Sequence, residues 1–398
     1  MTLKLKPQAL AREINLPSSK SYANRLLIVA ARLGGARKVL NLPASDDVTF
    51  LLHSFQSIGL NIEVKNYATT FFNSFPECEG AGPDPVVLHV GEGGTTARFL
   101  LSLLSLGKKR YLLHMEGRLS QRPWDGLIQA LRTAGAKIEW EDAHQLSIQG
   151  PVHPQKLPRQ ISCKDTTQFI TSLQLSFFSE GLTFTPLDLE SSEAYWQMTL
   201  ECAKDFQEKS VPQDWSSASY PVVLAAIKGH DVLFRDLHPD RFQADSLLFD
   251  LLKERGAIEE RKEGVVVTRL KTLQPLQVDG SKCLDLIPTL AVLALKLEGV
   301  SVITNVRGLI AKESNRLEEI LRLLKKMGAR ISLDQEHILS IHGPHRTQAI
   351  DLDPVPDHRM VMMAALLLLT NEGGSVTNEQ AVSKSFPNFF DIVAPTRE

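Results

Sequence analysis

A chain of 398 residues, 43% hydrophobic and 23% charged, is too long for one compact core and has the make-up of a globular protein. Its formal net charge of −2 excludes a general polyanion-binding surface, so any cationic function must come from local clustering. Four cysteines, Cys78, Cys163, Cys202 and Cys283, at no metal-ligand spacing exclude a disulfide framework and read as reduced thiols of a cytoplasmic protein.

In chain order, the opening "MTLKLKPQALAREI" lacks the apolar core of a signal peptide. "LPSSKSYANR" at 16–25 then sets a Pro–Ser turn ahead of a helix whose first turns carry Lys20, Ser21 and Arg25. A helix N-terminus has free N–H groups and a partial positive charge, and Lys, Ser and Arg added there suit phosphate or carboxylate. A Ser-rich cap with solvated cations is the plain alternative. The phrase "SDDVTFLLHSFQSIGLNIEV" follows, an amphipathic helix, a glycine and a short strand.

"VGEGGTTARFLLSLLSL" (90–106) has Gly91, Gly93 and Gly94, which permit close approach to a ligand, then Thr95, Thr96 and Arg98. It is no Walker loop, and a tight turn is the alternative. "GRLSQRPWDGL" (117–127) sets Arg118 and Arg122 just before Pro123, a good first helical residue. Arginines at a helix start oppose the dipole preference, which hints at an anionic partner. The helix–Gly–strand phrase returns in "RPWDGLIQALRTAGAKIEW". "CKDTTQFITSL" (163–173) opens another helix with Thr166, Thr167 and Gln168, by themselves an ordinary cap.

Near the midpoint, "VPQDWSSASYPVVLAAIKG" (211–229) gives Pro, Asp and Ser residues that yield to an apolar helix, a candidate crossover between halves. "QADSLLFDLLKERGAIEE" repeats the phrase a third time. In "IAKESNRLEE", Lys312, Glu313 and Arg316 cluster, as a surface ion pair or as an acid/base carboxyl beside a substrate-binding arginine. The fourth phrase, "SNRLEEILRLLKKMGARIS", has Leu317, Ile320, Leu321, Leu324 and Met327 as its stripe. Ser314 or Asn315 would cap it, and Gly328 would take the left-handed C′ position. "PDHRMVMMAALLLL" sets Asp357, His358 and Arg359 against an apolar run of half a membrane span, a buried helix whose charged head points to function. "VSKSFPNFFDI" holds Lys384, taken alone a loop lysine.

The marker glycines repeat with regular spacing. Gly59 and Gly135 lie 76 residues apart, Gly256 and Gly328 lie 72 apart, and the two pairs are offset by 197 and 193 residues. A unit of about 70–75 residues thus recurs, and the whole pattern recurs after half the chain, implying two similar α/β domains of three units each.

Taken in order, "SSKSYANR", "GEGGTTAR", "RLSQRP", "TTQF", "SSASY", "AKESNR", "DHRM" and "SKSFP" resemble the EPSP synthase family of enolpyruvyl transferases over residues 18–387. The resemblance implies two globular domains, each of three α/β units, with the active site in the interdomain cleft. It divides the chain into 18–213, and 1–17 with 214–398, joined by two crossovers. It implies transfer of the enolpyruvyl group of phosphoenolpyruvate to the 5-hydroxyl of shikimate 3-phosphate, releasing phosphate, in the shikimate pathway. No organic cofactor and no metal are expected, nor a nucleic-acid or membrane partner, and the chain is expected to act as a cytoplasmic monomer.

By the same resemblance Lys20, Gly94, Arg122, Gln168, Arg316, Arg359 and Lys384 would bind phosphoenolpyruvate. Lys20, Ser21, Arg25, Thr166, Thr167, Gln168, Ser192, Tyr195, Asp285 and Lys312 would hold shikimate 3-phosphate. Glu313 would protonate C3 of the enol, and Asp285, assisted by Lys20, would take the 5-hydroxyl proton. Two substrates that each carry a phosphate and a carboxylate repel at about 4 kcal/mol per close pair of charges, which explains the number of cations.

The sequence departs from the family pattern at Glu92 (commonly Asn), Gly93 (commonly Ala), Ser120 (commonly Lys), Asn315 (usually Asp), Gly308 (often Asn) and in the threonine pair Thr166–Thr167. These departures put affinity in question more than reaction type. They leave room for an idle paralogue that binds a phosphorylated metabolite, although such a binder needs neither proton-transfer carboxylate. A UDP-N-acetylglucosamine enolpyruvyl transferase would have Asn after its first lysine and a loop cysteine. Here Ser21 follows Lys20 and no cysteine lies between Cys78 and Cys163.

Overall fold

The structure, a computed structural model, describes residues 2–80, 84–189, 192–229 and 231–396. The chain divides into two compact units, Ser18–Pro212 and a second made of Met1–Pro17 with Gln213–Glu398. The first holds helices α1 (Lys20–Leu33), α2 (Asp46–Ser57), α3 (Gly94–Leu104), α4 (Asp125–Thr133), α5 (Gln168–Phe177) and α6 (Glu193–Cys202). The second holds α7 (Trp215–Lys228), α8 (Leu247–Glu254), α9 (Ile287–Ala294), α10 (Arg316–Lys326), α11 (His358–Leu369) and α12 (Phe389–Val393).

Four sheets, two per unit, share one wiring. Arg37–Leu40 pairs parallel with Glu208–Ser210 and antiparallel with Ala68–Phe71, which pairs antiparallel with Ile62–Lys65. Arg110–Met115 does the same with Val86–Gly91, Gln145–Gln149 and Lys137–Trp140. Val232–Arg235 does so with Glu13–Asn15, Gly264–Val267 and Ile258–Arg261. Gly299–Thr304 does so with Gln277–Asp279, Leu339–Gly343 and Ile331–Leu333. In each, an amphipathic helix (α2, α4, α8 or α10) ends near a glycine that feeds the hairpin. Those glycines, Gly59, Gly135, Gly256 and Gly328, all take positive φ, as a C′ position requires.

The remaining sheet of each unit is reduced. Gln160–Ser162 pairs with Thr185–Leu187, and Gly374–Thr377 pairs with Ile350–Leu352 and Thr2–Leu5. There the helix ahead of the glycine and strand is the buried α5 or α11 rather than an amphipathic one, with Gly181 or Gly373 between, so the amphipathic phrase appears four times and not six.

Two kinds of helix follow from composition. The helices α1, α3 and α5 pack on one another in the first unit, and α7, α9 and α11 in the second. Every residue of α9 and α11 is buried, so the run "MVMMAALLLL" is core. No helix of the described residues is long and apolar enough to cross a membrane. The outer α10 buries Leu317, Ile320 and Leu324 of the expected stripe, with Met327 just beyond it, while Leu323 joins them and Leu321 is only half-buried at the margin. Asn315 caps α10, its side-chain oxygen accepting from Glu318 N at 3.3 Å.

The midpoint segment differs from expectation. Its serines belong to the helix: α7 starts at Trp215, capped by Asp214, whose carboxylate accepts from Ser217 N at 2.9 Å. It runs through Pro221. The proline's missing N–H is tolerated inside a helix whose neighbours α9 and α11 fix it by packing.

Candidate active site

In the Ser18–Pro212 unit the candidate residues stand at helix starts. Lys20 opens α1, and its Nζ lies 2.8 Å from the buried carboxylate of Asp47, the second residue of α2. That carboxylate also lies over Gly93, where a β-carbon would meet Asp47 Cγ at 3.0 Å. Thr96 donates to the Asp47 carbonyl at 3.1 Å, fixing the start of α3 to that of α2.

Arg25 is buried within α1, and among the described residues no carboxylate pairs with it. It donates to Thr199 Oγ1 at 3.0 Å, Ser21 O at 2.8 Å and Tyr195 O at 3.3 Å. The rings of Phe99 and Tyr195 each lie 5.7 Å from its guanidinium carbon. Burial lowers its pKa, the expected cost of a desolvated cation held by neutral oxygens. Through these bonds Arg25 ties Ser21 to the start of α6, where Tyr195 follows Ser192. Ser192 adopts φ 64°, a left-handed conformation that a non-glycine residue holds only when its surroundings enforce it.

A second group forms around α3. Arg98, almost wholly buried, donates to Gln168 Oε1 at 2.6 Å and to Pro123 O at 2.7 Å, and lies over the Trp124 ring at 5.0 Å. Gln168 in turn donates to Thr95 Oγ1 at 3.2 Å, and its backbone N–H donates to Thr166 Oγ1 at 3.2 Å. A β-carbon at Gly94 would meet Arg98 and Arg122 nitrogens at 2.7 and 2.8 Å. Only glycine lets both guanidinium groups reach the start of α3, where the dipole already favours an anion. Gly94, Thr95, Arg122 and Gln168 thus form one donor-rich corner.

The other unit carries an ionic network centred on Arg316, the first residue of α10, which is 1% exposed. Its guanidinium meets three carboxylates: Asp357 (Nε–Oδ2 2.8 Å), Glu313 (2.7 Å) and Asp285 (3.0 Å). Asp285 is also met by Lys312 at 3.2 Å and Arg359 at 3.4 Å, and Lys384 lies 3.9 Å from Glu313. Asp357 caps α11, accepting from Arg359 N at 2.9 Å, and takes a bond from Ser314 Oγ at 2.9 Å. His358 is buried, its Nδ1 3.5 Å from Asp357.

The charges set one another's protonation. Burial would raise the Asp285 carboxyl, but Arg359, Lys312 and Arg316 outweigh it and hold it far below the usual carboxylate range. Burial acts likewise on Asp357, which Arg316 and His358 bring down to about 2. Arg316, despite burial, is driven further toward its charged form by Asp357, Glu313 and Asp285.

The expected residues therefore fall into two groups. Lys20, Ser21, Arg25, Gly94, Arg122, Thr166, Thr167, Gln168, Ser192 and Tyr195 belong to one unit. Asp285, Lys312, Glu313, Arg316, Arg359 and Lys384 belong to the other, where direct ion pairs link them. Three residues left out of the expected set hold members of it in place: Asp47 on Lys20, Arg98 on Gln168 and Asp357 on Arg316. Asp47 and Arg98 sit in the first turns of their helices beside charged or glycine-rich starts, a signal the sequence carries only weakly. Asp357 stands in the noted Asp–His–Arg triplet. Among the described residues no group of three or more His, Cys, Asp or Glu side chains is placed to hold a metal ion.

The departures also find physical places. Glu92 is exposed and folds against Gly117, where a β-carbon would meet its Cδ at 2.7 Å. A β-carbon at Gly308 would lie 2.6 Å from Leu284 Cδ1, so a leucine fills the space beside that position. Asn315 works as a helix cap.

Comparison with known proteins bears on the family and the fold. The sequence profile of the family described as EPSP synthase (3-phosphoshikimate 1-carboxyvinyltransferase) matches residues 5–207 and 187–393. A 3-phosphoshikimate 1-carboxyvinyltransferase of Vibrio campbellii is 31% identical over 415 residues, 95% of each chain. One of Vibrio cholerae is 31% identical over 427 residues, 99% of each chain. The structure of EPSP synthase from Acinetobacter baumannii superposes with a TM-score of 0.79 at 22% identity, covering 100% of this chain and 99% of that one. The enolpyruvyl transferase NikO from Streptomyces tendae gives 0.73 at 13% identity, covering 100% and 98%. At those identities the two structures speak for the fold.

Proposed function

The chain belongs to the EPSP synthase family and is a transferase of the shikimate pathway, and from that premise we propose how its residues share the reaction. Shikimate 3-phosphate and phosphoenolpyruvate are the substrates. The 5-hydroxyl oxygen adds to C2 of phosphoenolpyruvate while C3 gains a proton. The tetrahedral adduct then loses phosphate from C2 and a proton from C3, leaving the enolpyruvyl ether.

Ser21, Arg25, Thr166, Thr167, Ser192, Tyr195 and Lys312 hold shikimate 3-phosphate, and Gly94, Arg122, Gln168, Arg316, Arg359 and Lys384 hold phosphoenolpyruvate. Lys20 serves both. Glu313 gives the proton to C3 and takes one back in the elimination, and Asp285 accepts the 5-hydroxyl proton. Such transfers are worth about 10²–10⁴-fold each.

The observation that carries this reading is the set of ion pairs on Asp285 and Glu313. The cations assigned to the substrate anions are engaged by the carboxylates assigned to proton transfer. An Asp285 so strongly acidified is a poor base. Anionic substrates that draw Lys312, Arg316 and Arg359 to themselves restore its proton affinity, so the acid/base groups become competent when both ligands are bound. Supporting the division of labour, the neutral donors of Gln168, Thr95 and Thr166 cluster beside Arg98 and Gly94, a setting for phosphate oxygens. The enzyme acts as a monomer in the cytoplasm.

Phosphate release from purified protein given both substrates tests the proposal, with Glu313→Gln alongside. Release by the native chain and its loss in the variant, with shikimate 3-phosphate still bound, is the expected result. Binding without release by the native chain would replace it with the reading of an idle metabolite binder.

A further inference from the structure

Gln168 opens α5 half-buried, and the end of its side-chain amide that faces outward decides whether it attracts or repels a phosphate. The amide nitrogen gives hydrogen bonds and the oxygen only accepts them, yet the two ends have nearly the same shape. Arg98 makes the choice between them. A guanidinium carries donors and no acceptor, so the atom that Arg98 Nη1 meets at 2.6 Å is the oxygen, Oε1. The nitrogen is thereby turned the other way, where it donates to Thr95 Oγ1 at 3.2 Å. Among the described residues that is its one hydrogen bond, which leaves a second N–H to give.

Arg98 is itself held fast. It is 1% exposed, its Nη2 donates to Pro123 O at 2.7 Å, and the Trp124 and Phe169 rings lie 5.0 and 5.7 Å from its guanidinium carbon. A β-carbon at Gly94 would lie 2.7 Å from Arg98 Nη1, so the same nitrogen that meets Gln168 also lies against the start of α3. We propose that Arg98 is a positioning residue for phosphoenolpyruvate: it locks the Gln168 amide with its nitrogen toward the phosphate and braces the Pro123 carbonyl next to Arg122. The inference rests on the reading of Gln168 as a phosphoenolpyruvate ligand.

Two physical effects follow from one contact. An unlocked amide presents its oxygen to the anion in part of the population, and ordering it then costs binding free energy that a locked amide has already met. A hydrogen bond from a cation to Oε1 also polarises the amide and strengthens its N–H groups as donors. Both act on the binding of phosphoenolpyruvate and leave the proton-transfer carboxylates alone.

The test is steady-state kinetics of the full chain with Arg98→Met, Gln168→Ala and the double variant, then Gln168→Glu. Arg98→Met keeps the apolar stem and should raise the KM for phosphoenolpyruvate about tenfold, with kcat within about threefold and the KM for shikimate 3-phosphate within about twofold. Gln168→Ala should raise the same KM. The double variant should exceed Gln168→Ala by no more than about threefold, because an arginine that acts through Gln168 then has little left to position. A native KM in Arg98→Met beside a raised one in Gln168→Ala overturns this inference alone. So do effects that multiply in full in the double variant, which mark a merely structural arginine.

Gln168→Glu leaves Arg98 in place and decides the matter should Arg98→Met not fold. It puts an oxygen at both ends, so Arg98 keeps its acceptor while the phosphate meets a carboxylate. Its urea midpoint should stay at or above native, and its KM for phosphoenolpyruvate should exceed that of Gln168→Ala. A lowered midpoint, or a KM no worse than that of Gln168→Ala, overturns the proposal. A native KM in Gln168→Ala instead removes the reading of Gln168 as a ligand, and the inference with it.

Discussion

The two units hold their buried cations in opposite ways. In Ser18–Pro212, Arg25 and Arg98 are held by hydroxyl, amide and carbonyl oxygens and by aromatic faces. In the other unit Arg316 is held by three carboxylates. In the first arrangement the contacts just named are with neutral groups, which place positive charge without cancelling it. The second is nearly neutralised from within and gains affinity only by exchange, which ties ligand binding to the freeing of Asp285 and Glu313. Lys20, paired with Asp47, is a member of the second kind within the first unit.

The largest effect that would sharpen this contrast is on turnover. Glu313→Gln should cut phosphate release by about 10²–10⁴-fold while shikimate 3-phosphate binding, measured by calorimetry, stays near native. A comparable loss of binding would mean that Glu313 serves the network rather than the proton. Next comes stability. Arg316→Met leaves the buried Asp357 without its arginine and takes one cation each from Asp285 and Glu313, and should cost about 3–5 kcal/mol in urea unfolding. Arg25→Met strands only neutral acceptors and should cost about 1–3 kcal/mol. Equal costs would break the distinction drawn between the two units.

Gly94→Ala is smaller. Its methyl needs the space taken by Arg98 and Arg122 nitrogens, so the KM for phosphoenolpyruvate should rise about tenfold with little change for shikimate 3-phosphate. The smallest effect is on acid tolerance. The Asp357 carboxyl is lowered to about 2, so its contribution is present above the unfolded value near 4 and is lost as pH falls toward 2. Asp357→Asn should therefore flatten the fall in urea midpoint between about pH 4 and pH 2.5, and an unchanged slope would assign that fall to other carboxylates.

Local information in the chain was enough for the helix–Gly–strand phrases, because an apolar stripe, a cap and a left-handed glycine act within one or two turns. The four repeats and the two-domain α/β architecture follow from them. Strands of three residues were not legible: Glu208–Ser210 and Glu13–Asn15 have no period of their own and exist because distant strands accept them. Proline and serines concealed the start of α7, since tertiary packing overrides their low helix propensity. At the site, charged motifs pointed to the cations and to Glu313.

Order of synthesis gives the chain's path a further meaning. The strand Thr2–Leu5 finds its antiparallel partner only in Gly374–Thr377. At about 5–20 residues per second, a ribosome makes that partner tens of seconds after the strand emerges. Meanwhile every strand of Ser18–Pro212 has been made, so the middle of the protein can fold while two strands of the other unit, Thr2–Leu5 and Glu13–Asn15, wait unpaired. A waiting strand is a hazard, open to pairing with any other chain on the ribosome or off it. Lys4, Lys6 and Pro7 stand in and just beyond that segment, charges and a missing N–H that discourage such pairing until the last sheet closes.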